Sequence, residues 1–124
     1  MDRINSRAVR QDPWLLLYVK DQTERICLEA VRQNGYALEY VKNQTHEICL
    51  AAVRNRGYAL ELVKNQTEEV CLEAVNKNGW MIKYVENQTE EMCLIAVQRN
   101  PMMIFYVTDD SMIQRLREIL GRKT

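Results

Sequence analysis

The chain repeats itself every 22 residues. A threonine recurs at that interval, and a cysteine follows each threonine four residues later: Thr23, Thr45, Thr67 and Thr89, with Cys27, Cys49, Cys71 and Cys93. Fixed self-similarity of this kind is the signature of a repeat architecture, in which each unit is one supersecondary element stacked on its neighbours. The chain is therefore predicted to be an array of equal units.

The period also gives the unit boundaries. Four full units cover residues 23–44, 45–66, 67–88 and 89–110, and residues 1–22 form a degenerate first copy in which Trp14 takes the place of Tyr36. Ser111 falls where the next threonine would recur, so residues 111–124 are predicted to form one C-terminal capping helix. Terminal repeats differ from inner ones because one of their sides has no neighbouring repeat.

Each unit carries the signals of two short helices. Thr23 followed by Glu24 predicts a capped helix start, and the pair Asn34-Gly35 predicts its end, with the glycine in the left-handed conformation. Leu38 and the residues around it then form the apolar face of a second helix. We therefore predict an all-α fold, an α-solenoid of short helix-turn-helix repeats with a 22-residue period.

Composition narrows the classes of partner. The 124 residues include 17 Lys plus Arg and 17 Asp plus Glu, so the net charge is zero and no overall field attracts nucleic acid or anionic lipid. No apolar run approaches the roughly 20 residues that span a bilayer, and the start, Met1 to Asn5, is charged, unlike a signal peptide. These features predict a cytoplasmic protein without membrane contact.

Three short segments carry a resemblance to a known family. Residues 33–38 read QNGYAL, residues 40–43 read YVKN and residues 49–54 read CLAAVR. They resemble the helical repeats of unknown function called DUF4116, and the likeness extends from Trp14 to about Val107. Such repeats are common in giant viruses and some intracellular bacteria. The resemblance implies the fold, and a host-cell cytoplasmic location if the protein is viral, but it implies no reaction and no cofactor.

The four cysteines are interpreted as packing residues. Their spacing matches no zinc signature, and His46 is the single histidine, so no metal and no cofactor are predicted. The chain also lacks a phosphate-binding glycine loop and a nucleophile elbow, and we do not expect an enzyme. Asn43-Gln44-Thr45 and its two copies have the form of glycosylation sites, but they are interpreted as turns that lead into a threonine cap.

Aromatic residues form two columns in the second helices. One consists of Trp14, Tyr36, Tyr58 and Trp80, and the other of Tyr18, Tyr40, Tyr84 and Tyr106. Packing between successive helices is the favoured interpretation, because aromatic stripes at helical spacing usually belong to the core. The alternative is an exposed groove where a peptide helix or stacked bases dock.

Basic residues also recur with the period. Arg10, Arg32 and Arg54 end successive first helices, and Lys20, Lys42 and Lys64 follow on the second helices. A track of this kind suits phosphate binding, although the helix dipole also favours cations at helix C-termini. Solvated charge is the favoured interpretation of this column.

The sequence therefore favours a non-catalytic scaffold for protein–protein interaction. The alternatives are a nucleic-acid-binding repeat that uses the basic column, and a homo-oligomeric element joined through its ends. The candidate contact residues are Arg10, Arg32, Arg54, Lys42, Lys64, Tyr36, Tyr58, Trp80, Tyr40 and Tyr84.

Overall fold

In a computed structural model of the protein, which describes residues 5–121, each of five units pairs an α-helix with a 3-10 helix. The α-helices are α1 (Ser6–Gln11), α2 (Glu24–Gln33), α3 (His46–Asn55), α4 (Glu68–Lys77), α5 (Glu90–Arg99) and the terminal α6 (Asp110–Gly121). The 3-10 helices are η1 (Pro13–Tyr18), η2 (Gly35–Tyr40), η3 (Gly57–Leu62), η4 (Gly79–Tyr84) and η5 (Pro101–Tyr106). The predicted all-α repeat fold is confirmed, and no strand occurs between residues 5 and 121. The charged start used above to argue against a signal peptide falls mostly on residues 1–4, outside the described part.

Threonine begins α2 to α5, as predicted. The Thr23 hydroxyl oxygen accepts a hydrogen bond from the Ile26 N–H at 3.2 Å, and Thr45, Thr67 and Thr89 do the same in their units. Such a bond satisfies one of the free donors of a first turn, and the acidic residues that follow suit the positive end of the helix dipole.

The second helix of each unit is a 3-10 helix of six residues. In η2, the Ala37 N–H donates to the Asn34 carbonyl, which marks the i to i+3 pattern, and the Asn34 side chain caps the Tyr36 N–H at 3.0 Å. Six residues at about 2 Å each return the chain about 12 Å, close to the roughly 15 Å of a ten-residue α-helix. The 3-10 helix therefore returns the chain close to the start of the next α-helix within 22 residues.

Glycine ends the first helix for a different reason from the one predicted. Within residues 5–121 no glycine has a positive φ, and α2 ends at an extended Asn34 with φ of −151°. Gly35 is instead required by space, because a Cβ atom there would overlap the carbonyl oxygen of Ala52 in the next unit. The prediction of a left-handed glycine is therefore wrong. Gly35 is glycine because the two units approach too closely there to leave room for a side chain.

The helices form two layers. The α-helices stack on one another, the 3-10 helices stack on one another, and each 3-10 helix packs between its own α-helix and the next one. The core between the layers consists of aliphatic residues, methionine and cysteine; in the second unit its members are Cys27, Ala30, Val31, Ala37, Leu38 and Val41. No short helix buries enough surface alone, so stability comes from this stacking.

The C-terminal cap begins before the expected position. The Asp109 carboxylate accepts the Met112 N–H at 3.0 Å, and α6 starts at Asp110. Asp109 thus takes the role that the period assigned to Ser111, which shortens the last interval by two residues. Met112 and Leu116 are buried, so this face of α6 covers the last unit.

Candidate interaction surfaces

A glutamine seam joins successive units along the edge where each 3-10 helix ends. Gln44 Nε2 donates to the carbonyls of Leu38 and Leu62 at 3.5 and 2.9 Å, and its Oε1 accepts from the Lys64 N–H at 2.9 Å. Gln22, Gln66 and Gln88 also bridge neighbouring units, by donating to one or two carbonyls and accepting a backbone N–H. Sequence reasoning assigned these residues to turns and missed the bridge, although their exact recurrence was the available signal.

The cysteines lie beside this seam. All four are free and buried, and each thiol lies 3.3 to 3.7 Å from a seam glutamine Oε1. Burial, aided by nearby carboxylates, raises the pKa of Cys27, Cys71 and Cys93 to about 11, and burial raises the pKa of Cys49. These groups are protonated at neutral pH and lack the thiolate that a nucleophile or metal ligand needs.

The predicted basic residues divide between two edges of the molecule. Arg32 lies in the last turn of α2. Lys42 lies beside the start of the same helix, where its Nζ donates to the Lys20 carbonyl at 3.1 Å. The two groups are thus about 15 Å apart, the length of a ten-residue helix. Arg10 and Arg54 lie in the last turns of α1 and α3, at the same edge as Arg32. Lys64 lies at the other edge with Lys42, where its backbone N–H donates to Gln44 of the seam.

Two of the column arginines already face carboxylates. Arg10 Nε lies 3.6 Å from Glu29, and an Arg54 guanidinium nitrogen lies 3.5 Å from Glu73, in each case on the following α-helix. Exposed pairs like these add about 1 kcal/mol of stability or less, but they offset the positive charge. Arg32 and Arg54 also line an open groove of about 490 Å³ between α2 and α3, with Glu24 and Glu47 at its other end.

Aromatic residues occupy only the 3-10 layer. All of the chain's Trp, Tyr and Phe residues lie in η1 to η5, and none is fully buried. We call the outer surface of this layer the η face. Tyr36, Tyr58 and Trp80 are 38%, 42% and 44% exposed, whereas Tyr40 and Tyr84 are half-buried. The second column does pack against the core, as the favoured interpretation has it for Tyr40, Tyr84 and Tyr106, but the first column lies at the surface and does not belong to the core.

Helix type explains this exposure. In a 3-10 helix, residues three apart eclipse each other, so Tyr36 aligns with exposed Glu39 while Tyr40 aligns with buried Ala37. Rings also meet across units: Trp14 and Tyr40 have centroids 5.6 Å apart in an edge-to-face arrangement, and Trp80 and Tyr106 have centroids 6.0 Å apart. Such pairs hold the rings in place without burying them.

Cations lie over several rings of the η face. The Arg56 guanidinium is 5.6 Å from the Tyr36 centroid, and Lys83 Nζ is 4.9 Å from Tyr84 and 5.9 Å from Tyr106. A side-chain hydrogen bond with Tyr84 is the largest cause that raises the pKa of Lys83, and the charge of Glu61 adds to it. Lys83 is therefore a fixed positive charge on an otherwise aromatic surface.

His46 makes a contact between units. Its Nε2 lies 2.9 Å from Glu69 and its Nδ1 lies 3.3 Å from the Thr67 hydroxyl. In the preceding unit, Glu24 accepts a hydrogen bond from the Thr45 hydroxyl in the equivalent place. His46 therefore keeps a contact with the next threonine cap that Glu24 makes in the preceding unit.

The two ends of the array have polar outer surfaces in the described part. The open side of α6 presents Asp110, Gln114, Arg117 and Glu118 around one partly buried isoleucine, Ile113. Leu116, on the opposite side of α6, is fully buried against the fold. On α1, Arg7 and Gln11 are exposed.

Comparison with known proteins identifies the repeat. The family described as a domain of unknown function, DUF4116, matches residues 4–45, 23–66 and 67–112. The chain belongs to the DUF4116 family. The second match covers two whole 22-residue units, so one DUF4116 match corresponds to a pair of stacked units. No curated protein and no solved structure gives a significant match to the chain.

Two features are absent from residues 5–121: a cluster of metal ligands and a membrane-spanning helix. Nowhere in this range do three His, Cys, Asp or Glu side chains group closely enough to hold a metal ion. None of the helices there combines the length and the apolar character that crossing a bilayer requires.

Proposed function

We propose that this DUF4116 protein is a non-catalytic protein-binding scaffold and that the η face is its contact surface. The observation that carries the proposal is the row formed by Trp14, Tyr36, Tyr58 and Trp80, each about two-fifths exposed on one face. Tyr and Trp supply much of the binding energy of protein interfaces, because their large rings are stiff and carry a polar atom.

The arrangement of this face also supports binding. Trp14 and Trp80 each contact a ring of the next unit, and Arg56 lies over Tyr36, so these three side chains have less freedom to lose on association. Exposed aromatic and aliphatic side chains continue along the whole array to Met102 and Phe105. A contiguous exposed patch of this kind usually marks an interaction site.

A nucleic-acid interface has less support. Arg10 and Arg54 face carboxylates, and the lysines lie at the other edge from the arginines. A phosphate backbone would need one continuous positive track. Joining through the ends also has less support, because the described outer surfaces of α1 and α6 are polar.

The four free and buried thiols suit a reducing compartment, which supports a cytoplasmic setting for this binding.

Affinity capture of the tagged chain from its native extract tests the proposal. We expect a defined protein to be recovered with or without nuclease, and to be lost with the variant Tyr36→Ala plus Tyr58→Ala. The matched control is Arg25→Ala plus Glu91→Ala, which alters two exposed residues of the α layer and should leave recovery unchanged. Circular dichroism melting should show that both variants fold.

The opposite result has a distinct signature. Recovery that needs nucleic acid, falls steeply with salt and is lost with Arg32→Glu plus Arg54→Glu would replace this proposal with a nucleic-acid-binding role. Equal recovery with the tyrosine variant and with its control would remove the η face as the contact surface.

A further inference from the structure

One column of the η face is not periodic. It lies three residues after the aromatic row, so it projects from the same side of each 3-10 helix, and all five of its members are exposed. We call it the middle column: Leu17, Glu39, Glu61, Lys83 and Phe105. Its order is apolar, acidic, acidic, basic, apolar.

When this column is placed against a second copy running in the opposite direction, apolar residues face apolar residues and an acidic residue faces a basic one. If two copies face each other in opposite directions about a two-fold axis at the third unit, Leu17 meets Phe105 and Glu39 meets Lys83. Glu61 meets its own copy at the axis. In a parallel arrangement every member would meet its like, including Glu39 against Glu39 and Lys83 against Lys83. The complementarity of charge and apolarity therefore selects the antiparallel arrangement.

We propose that the partner of the η face is a second copy of this chain, packed antiparallel across a two-fold axis. This inference rests on the proposed role of the η face as a protein-binding surface. A two-fold contact uses the same patch on both copies, so each complementary pair occurs twice.

Exposure at the two ends of the face agrees with this partner. Tyr18 is 67% and Phe105 is 79% exposed, and Leu17 and Met102 are also more than half exposed. The inner members of the middle column are charged. Within this column, apolar residues therefore occur only in the first and fifth units. An antiparallel pair places the first-unit patch on the fifth-unit patch and removes both from water.

The area sets the expected strength. Five 3-10 helices about 12 Å long and stacked at about 9 Å give a face of about 550 Å² per chain. A pair would cover about 1,100 Å², at the low end for a specific interface, so a weak association is expected. The pair should therefore be reversible and visible only at raised concentration.

Charge reversal with sedimentation velocity, from about 1 μM to about 1 mM, tests the pairing. The parent should pass from monomer to dimer. Glu39→Lys should raise the dissociation constant by about 10-fold or more, because two lysine pairs replace two acid–base pairs. The double variant Glu39→Lys plus Lys83→Glu should return to within about 3-fold of the parent.

The control is Glu47→Lys, which makes the same change in net charge on the exposed α layer and should leave the dissociation constant within about 2-fold. Glu61→Gln should tighten the pair, because it removes the like charges at the axis. The effects of Glu39→Lys and Glu61→Gln should occur without a change in the melting temperature of the monomer.

Cross-linking tests the direction. With a short bismaleimide, the variant Leu17→Cys plus Phe105→Cys should give a covalent dimer, whereas Leu17→Cys alone should not. A dimer cross-linked by Leu17→Cys alone would mean parallel pairing and overturn the inference.

A parent chain that stays monomeric at the highest concentration would also overturn it, as would a double variant as weak as Glu39→Lys. Neither outcome removes the proposed scaffold role if a different protein is still captured through Tyr36 and Tyr58. If the parent chain forms no dimer, and the variant Tyr36→Ala plus Tyr58→Ala captures as much protein as its control, both proposals are wrong.

Discussion

The glutamine seam lies in the turns that follow the 3-10 helices of the η face, but the two regions follow different rules. In the seam, Gln22, Gln44, Gln66 and Gln88 repeat without change and make nearly the same backbone contacts each time. Along the η face, the middle column changes from leucine to glutamate to lysine to phenylalanine. The seam hydrogen-bonds backbone groups that every unit has, whereas the middle column meets solvent, where the fold does not dictate the residue. The invariant seam positions therefore reflect the fold, and the variable middle column is where a binding partner can be specified.

The largest effect on stability is expected from a substitution that removes the seam contacts of one glutamine. Gln44→Ala removes the side-chain hydrogen bonds to the Leu38 carbonyl, the Leu62 carbonyl and the Lys64 N–H, and at about 1 kcal/mol each this should lower the free energy of unfolding by about 3 kcal/mol. Denaturant unfolding followed by circular dichroism measures this. Asn65→Ala, in the exposed turn of the next unit, should change it by less than about 0.5 kcal/mol. Equal losses in the two variants would mean that the seam adds nothing beyond an ordinary turn.

A second pair of variants tests how closely the units approach. Gly35→Ala should cost about 2 kcal/mol, because its Cβ would overlap the Ala52 carbonyl oxygen. Gly79→Ala is the matched control, since its Cβ would lie 3.5 Å from Ala96 Cα, an ordinary contact. Its φ is not positive, so alanine there should be neutral or stabilise by about 0.5 kcal/mol. Thermal melts of both variants decide this, and a harmless Gly35→Ala would contradict the packing between η2 and α3.

A smaller effect concerns the caps of the 3-10 helices. η3 begins at Arg56 without a side-chain cap, whereas Asn78 caps η4 through the Trp80 N–H at 3.0 Å. Asn78→Arg should cost about 1 kcal/mol. Arg56→Asn should gain only about 0.5 kcal/mol, because the cation over Tyr36 is lost. Opposite signs in chemical denaturation would support the cap, and two losses would mean that Arg56 has a structural role of its own.

The smallest effect concerns pH at the C-terminal cap. The backbone hydrogen bond from Met112, and then that from the Ser111 side chain, lower the pKa of Asp109 below its usual 3.8. A lowered folded-state pKa gives stability that is present above the unfolded pKa and lost as pH falls through the folded pKa. Asp109→Asn keeps a capping oxygen but no charge, so it should be less stable than the parent near neutral pH and converge with it as the pH falls through the folded-state pKa of Asp109. Melting temperatures across this range measure it, and a constant difference would exclude the carboxylate charge as the cause.

Much of the fold could be predicted because its signals are local. The threonine caps at Thr23, Thr45, Thr67 and Thr89 act within one turn, and the period alone implied a stack of units. Burial of the cysteines also followed from a small residue that recurs at one packing position. The predicted start of the C-terminal capping helix at Ser111 was wrong, because Asp109 supplies a capping oxygen two residues earlier.

The candidate site was harder to predict because the phase of the second helix was unknown. At the 3.6 residues per turn of an α-helix, Tyr36 and Tyr40 share a side, so both were assigned to packing. At three residues per turn, Tyr36 aligns with Glu39 instead, and the aromatic row and the middle column become one exposed surface. The basic residues of the predicted site were likewise split between two edges once the helices had direction and length.

The sequence by itself determined the repeat and the starts of α2 to α5, because these depend on spacing and on contacts within one turn. Only the tertiary structure decided why Gly35 must be glycine, what Gln44 binds and which rings face water. Each of these depends on a neighbouring unit: the Ala52 carbonyl, the Leu62 carbonyl and the stacking of one 3-10 helix on the next. Contacts between units arise only when the units stack, and no pattern within one unit specifies their distance.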